Sequence, residues 1–410
     1  MVNLIIDGKN ISAKEGTSVL AAARQNGIDI PTLCFLKDIN EVGDCRMCIV
    51  EIEGRRGFVA SCIEKVQEGM VVKTHTPEVI EARKMMLDLI LSNHHKECLT
   101  CSRDGNCELQ NLAKKFNMKE IRYEGEMNEH EIDDKSPSIV RDFNKCVLCR
   151  RCVATCKNVQ GIGAIDCAER GFHSCVSTTY NCSLNDVDCT LCGQCIESCA
   201  TGSLHEKENI DDVWKALQDE DRYVVVQTAP AVRVALGEEF GMPIGTNVTG
   251  KMVTALKQVG FDKVFDTNTG ADLTIMEEAN VKSYYAEKFN VPREKICMVS
   301  IMPCVAKKYE CSREEMEVDG VRDVDYVLTT RELARLIKQA NIDFVSLEDG
   351  KFDDPMGEAS GAGAIFGTTG GVMEAAIRTA VDTLEGKSID KIEYTEVRGE
   401  KEIKEASLTV

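Results

Sequence analysis

Cys146-Val147-Leu148-Cys149-Arg150-Arg151-Cys152-Val153-Ala154-Thr155-Cys156 and Cys189-Thr190-Leu191-Cys192-Gly193-Gln194-Cys195-Ile196-Glu197-Ser198-Cys199 carry one rhythm, C-x2-C-x2-C-x3-C, written twice. In that spacing three cysteines of a run hold one 4Fe-4S cubane and the fourth crosses to the other cubane. The spacing therefore predicts one cluster on Cys146, Cys149, Cys152 and Cys199, and a second on Cys189, Cys192, Cys195 and Cys156. Structural zinc sites favour separated C-x2-C pairs, so two such quartets argue against zinc. The residues after the fourth cysteines are Lys157 and Ala200 rather than proline, which bears on the local turn and leaves ligation intact.

The chain has 410 residues, enough for two to four domains with their own cores. A formal charge of -19 excludes a general nucleic-acid binder, because phosphate contacts need a basic surface. Basic residues cluster locally at Arg141, Lys145, Arg150, Arg151 and Lys157, as a docking patch for an acidic electron carrier or as an ordinary solvated surface. The N-terminus MVNLIIDGKN lacks the basic-then-apolar pattern of a signal peptide, and no apolar run reaches the length of a membrane span. Twenty-one cysteines in such a chain read as reduced thiols devoted to metal, and the expected location is cytoplasmic.

Upstream, Val2 to Ile6 alternates as a strand, Asp7-Gly8 turns, and Asn10 to Ala13 returns. Thr17 or Ser18 caps a helix through Gln25, with Gly27 placed to end it. This order suggests a β-grasp domain over residues 1–76, with Cys34, Cys45, Cys48 and Cys62 as ligands of a 2Fe-2S centre. Gly43 suits a loop that must bring backbone close to sulfur. Residues 77–126 form the next module. Thr76, Pro77 and Glu78 start a helix whose apolar face is Val79, Ala82, Met86 and Ile90, and the helix delivers His94 ahead of Cys98, Cys101 and Cys107. One imidazole and three thiolates suit a 4Fe-4S cluster or a zinc ion, and His95 is an alternative ligand.

Met127 to Ser138 reads as a polar, acidic linker. Residues 138–208 form the ferredoxin-type domain with two 4Fe-4S clusters, inside which Cys167, Cys175 and Cys182 match no metal spacing and read as packing or free thiols. From residue 209 to 410 the pattern changes to α/β. Strands are expected at Tyr223–Gln227, Lys263–Asp266, Ile296–Ile301 and Asp325–Leu328. Helices are expected at Thr249–Val259, at Arg331–Gln339 capped by Thr330, and from an opening at Gly367 to Gly371 as far as about Leu384. Ala229-Pro230 and Cys304 then fall at strand carboxyl ends, where open sheets put ligands. The glycines at 367, 370 and 371 lack the ending of a phosphate loop.

These modules in this order resemble the FeFe-hydrogenases of the clostridial, many-cluster type. The first half is also similar to the large subunit of respiratory NADH dehydrogenase and to some formate dehydrogenases. TAP at 228–230, TIMEE at 274–278, MPCVAKKYE at 302–310, TTREL at 329–333 and SGAGAIFGTTGGVMEAA at 360–376 carry the hydrogenase likeness. The resemblance implies a 4Fe-4S cluster rather than zinc at His94, Cys98, Cys101 and Cys107. That gives one 2Fe-2S and three 4Fe-4S clusters, and beyond them an H-cluster, a 4Fe-4S cubane joined to a diiron unit. It implies Cys304 as a cubane ligand, Lys307 as a hydrogen-bond donor to the diiron unit, and Ala229, Pro230 and Met302 as its pocket. Glu278 would stand in the proton path, and Glu310 joins the catalytic candidates.

The implied activity is reversible hydrogen oxidation and proton reduction, with ferredoxin or a similar small carrier as electron partner and NADH-oxidising subunits as further partners. The sequence departs from the family, for it has no Cys-Cys pair and no cysteine after Cys311. After Glu278-Ala279 it passes directly to Asn280-Val281-Lys282-Ser283-Tyr284-Tyr285, where the family inserts several dozen residues holding a proton-donating cysteine and the next acid of the relay. The expectation is an internally deleted, C-terminally truncated hydrogenase domain. With one of four cubane cysteines it does not turn over hydrogen alone, and the alternative is a catalytically inactive electron-transfer protein or subunit.

Overall fold

The computed structural model describes residues 1–267, 282, 286, 290–318, 320–353, 371–385, 395–397 and 400–405. The chain forms two compact units, Met1–Lys207 and Glu208–Val410.

The first unit opens with a hairpin, β1 (Val2–Ile6) and β2 (Lys9–Ala13), closed by Asp7 and Gly8, both with positive φ. Helix α1 (Val19–Gln25) begins at Ser18, whose hydroxyl accepts from the Ala21 amide as an N-cap. Strands β3 (Ile49–Ile52), β4 (Phe58–Ala60) and β5 (Val71–Lys73) complete a mixed sheet of order β2-β1-β5-β3-β4, with β1 and β5 parallel. Leu4, Ile6, Val19, Leu20, Val50 and Val72 fill the space between this sheet and α1.

Helix α2 (Pro77–Ser92) starts as its sequence signature demands, with Thr76 as N-cap and proline in the first turn. Its buried face differs from the apolar stripe expected above. Val79 and Leu87 are inside, and so are Arg83 and Asp88, whereas Ala82, Met86 and Ile90 are only partly covered. Arg83 donates to the Ile49 carbonyl at 2.6 Å, and Asp88 accepts from both the amide and the guanidinium of Arg122. Met86 and Ile90 still pack on the buried cluster around Leu87, and the buried Arg83 and Asp88 find polar partners distant in sequence.

Helix α3 (Glu108–Lys115) follows. Strand β6 (Ile139–Arg141) later pairs antiparallel with β9 (Leu204–Glu206), clasping the two ends of the cysteine-rich stretch. Between them lie α4 (Arg151–Ala154), a π-type turn at Thr155–Val159, the short pair β7 (Asp166–Ala168) and β8 (Cys175–Ser177), and α5 (Gln194–Ser198). The expected linker is structured by Asp133, which bonds Arg141, the Ser183 hydroxyl and the Leu184 amide.

The second unit begins with α6 (Ile210–Gln218), followed by β10 (Tyr223–Thr228), α7 (Val232–Ala235), α8 (Thr249–Val259) and β11 (Lys263–Asp266). It continues with β12 (Ile296–Met302), α9 (Ala306–Glu310), the hairpin β13 (Glu317–Val318) and β14 (Val321–Arg322), β15 (Tyr326–Thr329), α10 (Thr330–Gln339) and α11 (Gly371–Glu385). Strands β11-β10-β12-β15 form an all-parallel sheet in that order. Val224, Val226, Val299 and Ile301 face a core completed by α6, α8 and α10, while Val225, Phe265, Ile296 and Met298 pack on the other side. Burial on both faces is why these strands are nearly continuous runs of apolar residues. The cap of α10 is Thr329 rather than Thr330: its hydroxyl accepts from the Glu332 amide and Glu332 returns the bond, a reciprocal capping box.

Candidate metal centres

Cys34, Cys45, Cys48 and Cys62 come from the loops flanking β3 and β4. Cys34, Cys48 and Cys62 are buried and Cys45 is partly so. They stand as two pairs. The Cys34 amide donates to Cys45 Sγ at 3.3 Å and the Cys45 amide to Cys34 Sγ at 3.5 Å, while Cys48 Sγ and Cys62 Sγ lie 3.3 Å apart. The hydrogen bond within each pair holds the Cys45 thiol down at about 6 and the Cys48 thiol at about 7, and drives Cys34 and Cys62 upward. Gly43 has φ +70°, and a Cβ there would meet Ile63 Cδ1 at 3.1 Å, so this loop needs glycine.

Helix α2 ends at Asn93 and delivers His94, which is 8% exposed. Burial, with the charges of His95 and Lys145, pulls its imidazole down to about 4, so the ring is neutral at physiological pH. Its buried Nδ1 has no hydrogen-bond partner among the described residues. A neutral imidazole with an orphaned nitrogen is the chemistry of a metal ligand. His95 is less buried and its amide donates to the Asn144 carbonyl. Cys98 opens a single 3-10 turn, and Cys107 is the N-cap residue of α3. Cys101 packs against the backbone of Gly202, where a Cβ would lie 2.4 Å from Cys101 Sγ.

The two long runs repeat in three dimensions as they do in sequence. Leu148 and Leu191 both adopt positive φ, and their amides donate to Cys146 Sγ and Cys189 Sγ at 3.4 Å each. Arg150 and Gly193, next along each run, are left-handed as well. Cys146, Cys149, Cys152 and Cys199 line one small cavity. Cys156, Cys189, Cys192 and Cys195 line another. Each cavity is otherwise walled mostly by apolar side chains, among them Ile165 and Leu204, which border both. The structure thus brings together the crossed sets expected from the spacing. Burial pushes Cys146 up to about 12, Cys149 to about 11 and Cys195 to about 12. Among the described residues no three His, Cys, Asp or Glu side chains converge as a single metal ion requires.

The basic patch dissolves in three dimensions. Arg141 is buried against Asp133, Lys145 is paired with Asp142, and Arg151 is buried against Glu108 and the Phe35 carbonyl. Arg150 and Lys157 remain exposed. Cys167 is exposed, Cys175 buried and Cys182 partly buried, and none lines either cavity.

Several residues that spacing did not single out join these sets. The buried Asn40 carboxamide donates to the carbonyls of Cys34 at 2.8 Å and Cys149 at 3.0 Å, and Arg103 donates to the carbonyls of Ile196 and Cys199. Proximity to a candidate ligand cysteine is the sequence signal for them.

In the second unit, Ala229 and Pro230 follow β10, and Met302 and Cys304 stand at the end of β12, so all four fall at adjacent strand carboxyl ends. The Ala229 amide extends the ladder to the Ile301 carbonyl at 2.9 Å. Thr228 Oγ1 is buried there without a partner among the described residues. Ala229 is buried, Met302 and Cys304 are partly so, and Pro230 is exposed. Lys307 is paired with Glu310 one turn along α9, both about two-fifths exposed. Its neighbour Lys308 is buried instead, donating to Glu332, Asn209 and the Val327 carbonyl. Glu278 and the segment 360–370 lie outside the described residues. Cys297 is a core thiol pushed by burial to about 12, and Cys311 donates to the Lys308 carbonyl.

Cysteine-lined cavities in one unit and a parallel sheet in the other suit an iron–sulfur oxidoreductase, and this chain belongs to the iron-only hydrogenase family. The family description "iron only hydrogenase large subunit, C-terminal domain" matches residues 222–281 and 279–410, in two pieces that meet where the sequence passes from Glu278-Ala279 to Lys282. A 2Fe-2S iron-sulfur cluster binding domain matches residues 1–77, and the NADH-ubiquinone oxidoreductase-G iron-sulfur binding region matches residues 83–122. The chain is 44% identical to the NADP-reducing hydrogenase subunit HndD of Solidesulfovibrio fructosivorans, over all of this chain and 80% of that protein. It is 38% identical to iron hydrogenase 1 of Clostridium pasteurianum, with the same coverage. Half of the chain is 33% identical to 28% of the mitochondrial NADH-ubiquinone oxidoreductase 78 kDa subunit of Neurospora crassa. No helix among the described residues is long and apolar enough to cross a membrane.

Proposed function

We propose that this chain is the electron relay of an FeFe-hydrogenase. Its first unit binds one 2Fe-2S cluster on Cys34, Cys45, Cys48 and Cys62, and one 4Fe-4S cluster on His94, Cys98, Cys101 and Cys107. It binds two more on the crossed sets Cys146, Cys149, Cys152, Cys199 and Cys189, Cys192, Cys195, Cys156. Bound clusters supply one-electron transfer, and the protein's part is to hold them dry and oriented. The observation that carries the reading is the crossed grouping, with Cys199 beside the first run and Cys156 beside the second. Amide-to-sulfur hydrogen bonds from Leu148 and Leu191 favour the thiolate state that ligation needs. The orphaned Nδ1 of His94 fits a ligand.

The second unit would border the hydrogen site through Ala229, Pro230, Met302, Cys304 and Lys307, with Glu278 and Glu310 toward the proton path. These residues do not fit a complete H-cluster, because Cys304 is the single cubane cysteine among the 410. Hydrogen turnover therefore requires ligands that these residues do not include. Likeness to an NADP-reducing hydrogenase subunit favours a nicotinamide-reducing partner subunit, with a ferredoxin-like carrier as the other candidate electron partner. The free thiols suit the reducing cytoplasm.

The test is anaerobic iron–sulfur reconstitution followed by exposure to the diiron cofactor, read by electron paramagnetic resonance and infrared spectroscopy. The expected result is signals from one 2Fe-2S and three 4Fe-4S centres, with no carbonyl or cyanide bands retained through desalting. Absence of those cluster signals overturns the relay. Retained bands overturn the ligand count, and loss of them in Cys304→Ala would then assign Cys304 to the cubane.

A further inference from the structure

Three candidate ligand sets converge on one apolar junction in the first unit. Cys34, Cys107 and Cys149, one from each set, belong to a single buried cluster with Leu33, Met47 and Leu87. Beside them is Arg151, 5% exposed. Its guanidinium forks onto the Glu108 carboxylate at 2.5 and 2.9 Å and donates to the Phe35 carbonyl at 3.0 Å. Phe35 follows Cys34, Glu108 follows Cys107, and Arg151 lies between Cys149 and Cys152. One fixed cation is therefore tied to the ligand loops of the 2Fe-2S set, the histidine-containing set and the first ferredoxin-type set.

A buried ion pair of this kind stabilises a fold weakly at best, because desolvation offsets the Coulomb attraction. Its field is a different matter. Reduction adds an electron to a cluster, so a fixed cation nearby stabilises the reduced form and raises the potential, and an anion lowers it. Apolar surroundings leave such a field poorly screened on the Arg151 side, whereas Glu108 is nearly half exposed and more screened by water.

We propose that the Arg151–Glu108 pair sets the reduction potentials of the clusters meeting at this junction, with Arg151 raising them and Glu108 limiting the rise. Arg151 is a positioning residue, acting on electrons through its charge. The inference rests on the cluster assignment above and orders the potentials along the relay. The cluster on Cys156, Cys189, Cys192 and Cys195 serves as internal control, because none of the residues lining its cavity bonds to Arg151.

The experiment is a mediated redox titration of the reconstituted full chain, followed by electron paramagnetic resonance, on the wild type and on Arg151→Gln, Arg151→Lys and Glu108→Gln. Arg151→Gln should lower the junction potentials, by about tenfold in electron partition or about 59 mV for a one-electron couple. Glu108→Gln should raise them, Arg151→Lys should hold them near wild type, and the control cluster should shift least. A merely structural pair would move both neutral variants in the same direction or leave the potentials unchanged, and either result overturns the proposal. Should Arg151→Gln lose its clusters, the sign of the shift in the more exposed Glu108→Gln decides. A wild type lacking the cluster signals altogether would overturn the relay instead, which distinguishes the two failures.

Discussion

Gly202→Ala is the smallest change expected to remove one cluster and spare the others. Gly202 has no left-handed φ, so alanine suits its backbone, and the obstacle is steric. The new Cβ would lie 2.4 Å from Cys101 Sγ. Carbon and sulfur settle no closer than about 3.5 Å, so one of them must move by about 1 Å. The Gly202 side is held: Thr201 donates to the Lys145 carbonyl at 2.7 Å, and the Asp142 amide donates to the Ser203 carbonyl at 2.7 Å. Cys101 sits in a more exposed turn and yields. Metal sites tolerate ligand displacements of about 0.2 Å, several times less than this shift. The expected outcome is loss of the iron and the resonance signal of the cluster proposed on His94, Cys98, Cys101 and Cys107, with an overpacking cost of about 1–3 kcal/mol. Iron quantitation and spectroscopy of the reconstituted variant provide the assay. A full complement of clusters with an unaltered spectrum would refute the reasoning.

Two other outcomes follow from buried groups. Lys308→Met strands the buried Glu332 and should destabilise the second unit by about 3–5 kcal/mol in denaturant titration, and Lys308→Met with Glu332→Gln, which removes the stranded charge and keeps an acceptor for the Thr329 and Asn209 amides, should recover part of that loss. In cluster-free protein, burial raises Cys146, Cys149 and Cys195 from 9.0 to about 12, 11 and 12, so the folded state keeps protons that the unfolded state releases. The resulting stability is complete below about pH 9 and is lost as pH rises toward 12, which urea midpoints at about pH 8 and pH 10 would show as a fall.

The readable parts of this protein are those fixed by short-range rules. The hairpin at Asp7-Gly8, the start of α2 at Thr76-Pro77 and the grouping of Cys199 with the first run and Cys156 with the second all follow from spacings of a few residues or from a repeated rhythm. What escaped depends on partners far along the chain. Arg83, Arg141 and Arg151 look like surface charges until Ile49, Asp133 and Glu108 are found beside them. Lys307 and Lys308 are indistinguishable in sequence, and only the register of α9 against β15 sends the second inward. The cap of α10 is legible, since Thr329 stands three residues before Glu332, although the adjacent Thr330 carries the same side chain.

Crossed ligation also has a consequence for synthesis. On the proposed ligand sets, neither ferredoxin-type cluster can close until the second run has left the ribosome, and the first waits longest, because it borrows its fourth thiolate from Cys199 at the very end. At about 5–20 residues per second, Cys146, Cys149 and Cys152 wait several seconds as a three-legged site, the interval in which a nascent chain is most open to stray metal or oxidant. Cluster delivery to this domain is then gated by its last few cysteines, and a ribosome stalled between the two runs leaves both centres unfinished at once.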